Sequence, residues 1–122
     1  MKSERYEELF IWQKAREVAN EIYLCMKECK DYGFRDQLQR AAVSIMNNIA
    51  EGFERNSKKD FILFLRYAKG SCGEVRNMSY LAEDFSYIAT EKAEELRNNC
   101  RKISSGIASL QRYLAQSKNE KT

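Results

Sequence analysis

The sequence predicts an all-α protein, an antiparallel up-down bundle of four helices. Three observations predict it. Proline is absent and glycine occurs only five times in 122 residues, whereas an all-β chain of this length needs many turns built from those residues. Four segments carry apolar residues at helical spacing, three of them alternating three and four, the period of an amphipathic helix. The polar gaps between them span roughly three to six residues, the range that joins antiparallel neighbours. The whole chain, 1–122, is expected to form a single domain, which at this length buries roughly 65% of its unfolded surface without staples.

The first helix is predicted over about 7–30. Trp12, Ala15, Ala19, Ile22, Met26 and Cys29 make its inward stripe, and Gly33 marks a break. The second is predicted over 35–54, with Leu38, Ala41, Ala42, Ile45, Ile49 and Phe53 on one face and Gly52 near its end. The third spans 58–85. Ser57 is its expected N-cap, with Asp60 three residues on as a weaker capping box. One of its stripes is Leu65, Ala68, Cys72, Val75, Ser79 and Ala82; the adjacent one is Phe61, Phe64, Met78, Leu81 and Phe85. The fourth is predicted over 91–116 behind Thr90 as N-cap, with Glu91, Glu94 and Glu95 suited to the positive end of its dipole. Ala93, Leu96, Cys100, Ile103, Ile107, Leu110 and Leu114 form an unbroken heptad stripe. Residues from Gln116 onward are polar, and fraying is expected there.

The first helix carries a second apolar set, Leu9, Ile11, Val18 and Cys25, and the third is apolar over two stripes. One bundle core needs one stripe per helix. The excess predicts self-association; a wide stripe inside the bundle is the alternative.

The net charge of +3 is unevenly spread. Segment 1–34 has six cations against seven carboxylates, and 35–76 has eight against five. Segment 77–96 has one against five, and 97–122 has six against one. A basic middle and C-terminal end suit a polyanion such as RNA, although an unevenly charged soluble surface accounts for the same numbers. No signal-peptide pattern and no apolar run long enough to cross a bilayer is present, so a cytoplasmic location with reduced thiols and no membrane is expected. The four cysteines Cys25, Cys29, Cys72 and Cys100 fall in apolar helical patterns. They read as small buried hydrophobes rather than a metal site, because histidine is absent and no CxxC pair occurs.

Catalysis is not expected. Ser44, Ser57 and Ser71 have no histidine to activate them. Glu83 and Asp84 are adjacent, so they diverge on a helix, and a di-iron Glu-x-x-His site is impossible. Neither a dinucleotide fingerprint nor a P-loop is present, and no cofactor or metal is expected. The most particular polar feature is a ladder on the second helix. Arg40, Ser44, Asn47, Glu51 and Arg55 are spaced 4, 3, 4, 4 on one face, with Asn48 on its flank. It reads as a recognition strip, a register-setting seam or a solvated face. Gly70-Ser71, mid-helix, predicts a close helix approach. The candidate polyanion contacts are Arg40, Arg55, Lys58, Lys59, Arg97, Arg101, Lys102 and Arg112. Tyr32, Tyr67, Tyr80, Tyr87 and Tyr113 offer rings to unpaired bases.

The run Gln37-Leu38-Gln39-Arg40-Ala41-Ala42-Val43-Ser44-Ile45-Met46-Asn47-Asn48-Ile49-Ala50-Glu51-Gly52 resembles the signature of the four helix bundle protein family, also called the S23 or 23S rRNA-intervening-sequence protein family. Leu9-Phe10-Ile11-Trp12-Gln13-Lys14-Ala15, Arg55-Asn56-Ser57-Lys58-Lys59-Asp60-Phe61 with Phe64-Leu65, and Ala68-Lys69-Gly70-Ser71 with Glu74 agree with it. Two positions depart: Gln39 stands in a customary Arg-Arg pair, and Met46 replaces a customary proline. Without that proline the second helix keeps a hydrogen bond and is expected to be straighter. The resemblance implies a homo-oligomer, commonly a pentamer, with no enzymatic activity. It also implies a link to RNA or DNA, since some members are encoded within ribosomal RNA genes. A relative is an accessory protein that binds nucleic acid and a reverse transcriptase. Ser44, Asn47, Asn48, Glu51, Gly52, Gly70 and Ser71 are the motif residues expected to set assembly.

Overall fold

The fold is taken from a computed structural model that describes residues 3–117. A single 3-10 turn, Tyr6–Glu8, precedes α1 (Phe10–Cys25). The predicted start at residue 7 is therefore three residues early. Leu9 is extended (φ −77°, ψ 130°) and buries its own side chain, which separates the turn from the helix. The predicted end at residue 30 is also corrected. Met26 leaves helical geometry at ψ 5°, and the Cys29 N–H closes a turn onto the Met26 carbonyl at 3.0 Å. Cys29 thus lies beyond the helix.

The second helix, α2 (Tyr32–Glu54), begins earlier than predicted. The Asp31 carboxylate accepts the Phe34 N–H at 3.3 Å, an N-cap that satisfies one orphan donor and places Gly33 inside the first turn. The break lies at 26–31, not at the glycine. No proline interrupts α2, and it runs through Met46 without a gap. In α3 (Lys58–Asp84) the capping expectation holds: Ser57 Oγ accepts the Asp60 N–H at 3.0 Å. Its end is a Schellman motif, with Tyr87 N–H bonding Ala82 O at 2.8 Å and Ser86 N–H bonding Glu83 O at 3.0 Å. Ser86 takes the left-handed conformation there, at φ 60°. For α4 (Thr90–Gln116) the cap expectation fails. Ala89 occupies the N-cap without a side-chain bond, and Thr90 is already helical. Ser117 is the last described residue, so fraying expected beyond it and the ends of the 1–122 domain lie outside the described residues.

Each helix packs on its chain neighbours, α1 also meets α4, and the diagonal pairs do not approach. That pattern of contacts, with connections of three to six residues at 26–31, 55–57 and 85–89, is an antiparallel up-down bundle. The α2–α3 interface is the most extensive. The predicted stripes make the core: Ala15, Ala19, Ile22 and Met26; Leu38, Ala42, Ile45 and Ile49; the whole first stripe of α3; and the heptad of α4, of which only Leu110 is half-buried. The second apolar set of α1 was expected to need a covering partner. Instead Leu9, Ile11 and Val18 are buried in the chain's own core, and Cys25 is half-buried. The adjacent α3 stripe divides. Phe61 and Met78 are buried and Phe64 is half-buried, while Leu81 and Phe85 are exposed.

Close helix approach occurs at two glycines other than the expected one. A Cβ on Gly52 would lie 2.7 Å from Phe64 Cβ, and one on Gly106 would lie 2.6 Å from Ile11 Cγ2. Gly70 has nothing within 4 Å of that position. The reading of Gly70 as a packing site is overturned: it faces open solvent.

Candidate functional site

The polar chemistry divides between the two flanks of α3. On the flank facing α2, the Ser44 and Ser71 hydroxyls are hydrogen-bonded across the seam at 2.9 Å. Asn48 Nδ2 donates to the Ser44 carbonyl at 2.9 Å and to Ser44 Oγ at 3.0 Å. Gln37 Nε2 reaches the Glu74 carboxylate at 3.3 Å. At the far end the Arg55 guanidinium pairs with Glu51 at 3.0 Å and lies over the Phe64 ring at 4.7 Å. Ser44, Asn48, Ser71 and Gly52 therefore lie along one seam, while the motif residues Asn47, Glu51 and Gly70 are exposed outside it. Arg40 and Asn47 stand outside it, exposed, so the five-residue ladder is not one functional strip. A helix face defined by spacing alone spreads over more than one environment, and only its inner edge meets α3.

The flank facing α4 is different. Lys58, Ile62, Arg66, Lys69, Arg76 and Tyr80 follow one another at helical spacing down α3. Beside them α4 supplies Arg101, Ala108, Gln111, Arg112 and Ala115. Two adjoining grooves lie between the helices, of about 530 Å³ and 500 Å³, and both are lined by Ile62, Arg66 and Ala115. The first adds Lys58, Lys59, Asp60, Leu63 and Leu114; the second adds Lys69, Ala108, Gln111 and Arg112. Gln111 Nε2 donates to the Ile62 carbonyl at 3.4 Å and ties the two helices at the floor. Among the described residues the ion pairs engage none of Lys58, Lys59, Arg66, Lys69, Arg76, Arg101 or Arg112. Arg101 and Arg112 instead bond Asn98 and Ser109 within their own helix.

Of the predicted polyanion contacts, Lys58, Lys59 and Arg112 line these grooves, and Arg101 lies beyond them, between Tyr80 on one side and Phe10 on the other. Lys102 turns toward α1, beside Phe10 and Gly106. Arg40 and Arg55 sit on α2. Arg97 is a correction. Its side chain is only 8% exposed, bonded to Glu83 at 2.9 Å and to Ser79 Oγ at 3.2 Å, with the guanidinium 4.1 Å from the Tyr80 ring centre. The Ser79 hydroxyl in turn donates to the Arg76 carbonyl at 2.7 Å. A cation so enclosed is a structural ion pair. Arg66, Lys69 and Arg76 were missed. Counting cations at four-and-three spacing from Lys58 along α3 finds Arg66, Lys69 and Arg76, but segment totals hide them.

Other ionisable groups serve the scaffold. The Cys72 thiol donates to the Cys100 carbonyl at 3.0 Å across the α3–α4 seam, and both thiols are buried. Burial raises the Cys25 thiol, against the pull of Lys92. Lys92 bonds Glu21 of α1 as well as Glu95, and those carboxylates hold its ammonium above the ordinary lysine value. Tyr87 Oη donates to Asp31 at 2.7 Å, which pushes the phenol up to about 12. No helix among the described residues is long and apolar enough to cross a membrane.

The profile of the 23S rRNA-intervening sequence proteins matches residues 7–109, spanning all four helices. The chain belongs to that family. A solved relative is a protein of unknown function from the S23 ribosomal protein family of Bacteroides thetaiotaomicron VPI-5482. It is 28% identical, with a TM-score of 0.77, over 83% of this chain and 97% of its own. No curated protein matches the chain. The family match covers the α2–α3 seam and the α3 side of the cationic band, and ends before Gln111, Arg112, Leu114 and Ala115.

Proposed function

We propose that this member of the intervening-sequence family is a non-catalytic accessory module of the cytoplasm that binds nucleic acid through the phosphate backbone. The observation that carries the reading is the row of cations on α3 and α4 that form no ion pair among the described residues. A surface of that kind attracts phosphates and releases their counterions on binding. The family's ribosomal RNA connection supports the same chemistry. Histidine is absent from the chain, which leaves its serines without the commonest activating base.

We also infer that the protein self-associates, as a pentamer by family resemblance. Phe10, Leu24 and Phe85 support this, at 54%, 69% and 52% exposure. Apolar side chains of that size on a surface favour burial between copies. Five copies would repeat the +3 of one chain around a ring and strengthen a weak contact by avidity. The same residues favour a second reading, a scaffold that docks a protein such as a reverse transcriptase and has no nucleic-acid role.

The test is fluorescence anisotropy of a labelled structured RNA across a salt series, with light scattering on the same sample. Binding with a steep negative salt slope, at the mass of an oligomer, is expected. An intact oligomer that ignores RNA at low salt would leave the scaffold reading.

A further inference from the structure

The α3/α4 band has a feature that phosphate attraction does not need: its floor is apolar. Ile62, Leu63, Ala108, Leu114 and Ala115 line the two adjoining grooves, while Lys58, Lys59, Arg66, Lys69 and Arg112 stand around them. Asp60 is the single carboxylate in that lining. We propose that this groove is a binding site for single-stranded nucleic acid in preference to duplex. The inference rests on the nucleic-acid reading above and assigns it a location and a substrate class.

The argument is one of shape and solvation. A duplex keeps its bases stacked inside and offers only phosphate and sugar to a flat or grooved surface. Contact with it would use the cations and leave the apolar floor wet. An unpaired strand turns its bases outward, and each base has an apolar face to lay against a protein. With phosphates on the rim and base faces over Ile62, Ala108 and Ala115, both parts of the surface are used. Arg66 lines both grooves, so its planar guanidinium is placed to stack on a base or bind the adjoining phosphate. The row continues through Arg76 to Tyr80, whose ring is about half exposed. From Lys58 to Tyr80 the helix rises about 33 Å, enough for several nucleotides laid along it.

The test compares oligo(U) of about 15 nucleotides, on the scale of single-strand sites, with a mixed-sequence duplex of the same length. Both are labelled and titrated against the full chain at one ionic strength. The single strand is expected to bind about tenfold more tightly, a difference of about 1.4 kcal/mol. Ala115→Gln leaves the charge unchanged at an exposed floor position and is expected to cut oligo(U) affinity while leaving the duplex unaffected. Ile62→Asn repeats the test at the centre of the groove, with circular dichroism to show that the helices remain. Arg66→Gln is expected to weaken both ligands. Equal affinity for the two ligands, with both floor variants silent, overturns the single-strand site and leaves the backbone reading standing. Binding of neither at low salt removes the backbone reading itself, and this inference falls with it.

Discussion

The two flanks of α3 are built on opposite rules. Toward α2, the polar groups satisfy one another. Ser44, Ser71 and Asn48 form a closed set of hydrogen bonds, Gln37 reaches Glu74, and Gly52 lets α3 come close enough to touch backbone. Toward α4, Arg97 is held by Glu83 at one end, but along the rest of the flank Lys58, Lys59, Arg66, Lys69 and Arg112 form no ion pair among the described residues, and an open groove runs between the helices. Hydrogen-bond capacity used within the fold is not available to a ligand, and clustered unneutralised charge opposes folding by self-repulsion rather than supporting it. One helix thereby forms a fixed wall toward α2 and, under the proposed reading, the front of a binding surface toward α4.

Substitutions separate these rules, and the largest effect belongs to a cation that only resembles the binding set. Arg97→Ala leaves Glu83 and Ser79 without their donor beneath Tyr80. Loss of a fully buried pair costs about 3–5 kcal/mol. Because Glu83 keeps 26% of its side-chain exposure, about 2–3 kcal/mol is expected here from urea denaturation. The salt slope of RNA binding by the folded protein should not change. A slope that falls would move Arg97 from the scaffold to the band.

The next effect contrasts two glycines on the α2–α3 pair. Gly52→Ala drives a Cβ to 2.7 Å from Phe64 Cβ, an atom that moves only with its helix. A destabilisation of about 1–3 kcal/mol is expected, as for other overpacked sites. Gly70→Ala meets no atom and replaces a poor helix former with the best one. It should stabilise the protein by up to about 1 kcal/mol. Opposite signs in thermal melts confirm that the seam is tight at Gly52 and open at Gly70. Like signs break the contrast.

The Ser44–Ser71 bond is smaller still. Either serine replaced by alanine should cost about 1 kcal/mol, and the double variant less than the sum, because the Ser44–Ser71 bond is lost only once, while Ser44→Ala alone also gives up the bond from Asn48 Nδ2. Additive losses would mean that the two hydroxyls act independently and that the seam sets no register. At the end of the bundle, Tyr87 gives a control that touches neither flank. Its pKa is raised to about 12 by the hydrogen bond to Asp31. A raised folded-state pKa means that the contribution is complete below about pH 10, the ordinary phenol value, and disappears as pH climbs toward 12. Melting temperatures measured between pH 9 and 12 should fall less steeply in Tyr87→Phe than in the native chain.

The fold was legible because its signal is redundant. Every helix repeats its apolar stripe five or more times, and a single misread position changes nothing. The ends were less legible. Thr90 looks like an N-cap by residue type, yet Ala89 occupies that position; Gly33 looks like a break, yet Asp31 caps a helix that includes it. Caps depend on one backbone conformation each, which composition does not encode. The candidate site was legible in part. Ser44 and Asn48 are marked by a polar ladder that reads as a recognition strip, a register-setting seam or a solvated face, and only Ser71 opposite Ser44 shows which edge of it meets α3. Arg97 carries no mark in the sequence that distinguishes it from Arg101; only the position of Glu83 on the neighbouring helix buries one and frees the other.

The smallest expected change in stability tests the open flank directly. Lys69 is exposed, forms no ion pair among the described residues and lines the second groove beside Arg66 and Arg112. Lys69→Gln should leave stability within about 0.5 kcal/mol, as for an ordinary surface position. A lysine that meets a phosphate accounts for one released counterion, so the slope of log affinity against log salt should become shallower by about 0.7 for a single strand. In a ring, each copy repeats the loss and the change in slope grows with the number of copies that touch one nucleic acid. Lys102→Gln removes the same charge from the face toward α1 and should change that slope little. If the two variants reduce it equally, binding follows net charge rather than the α3/α4 band, and the difference between the two flanks of α3 has no functional meaning.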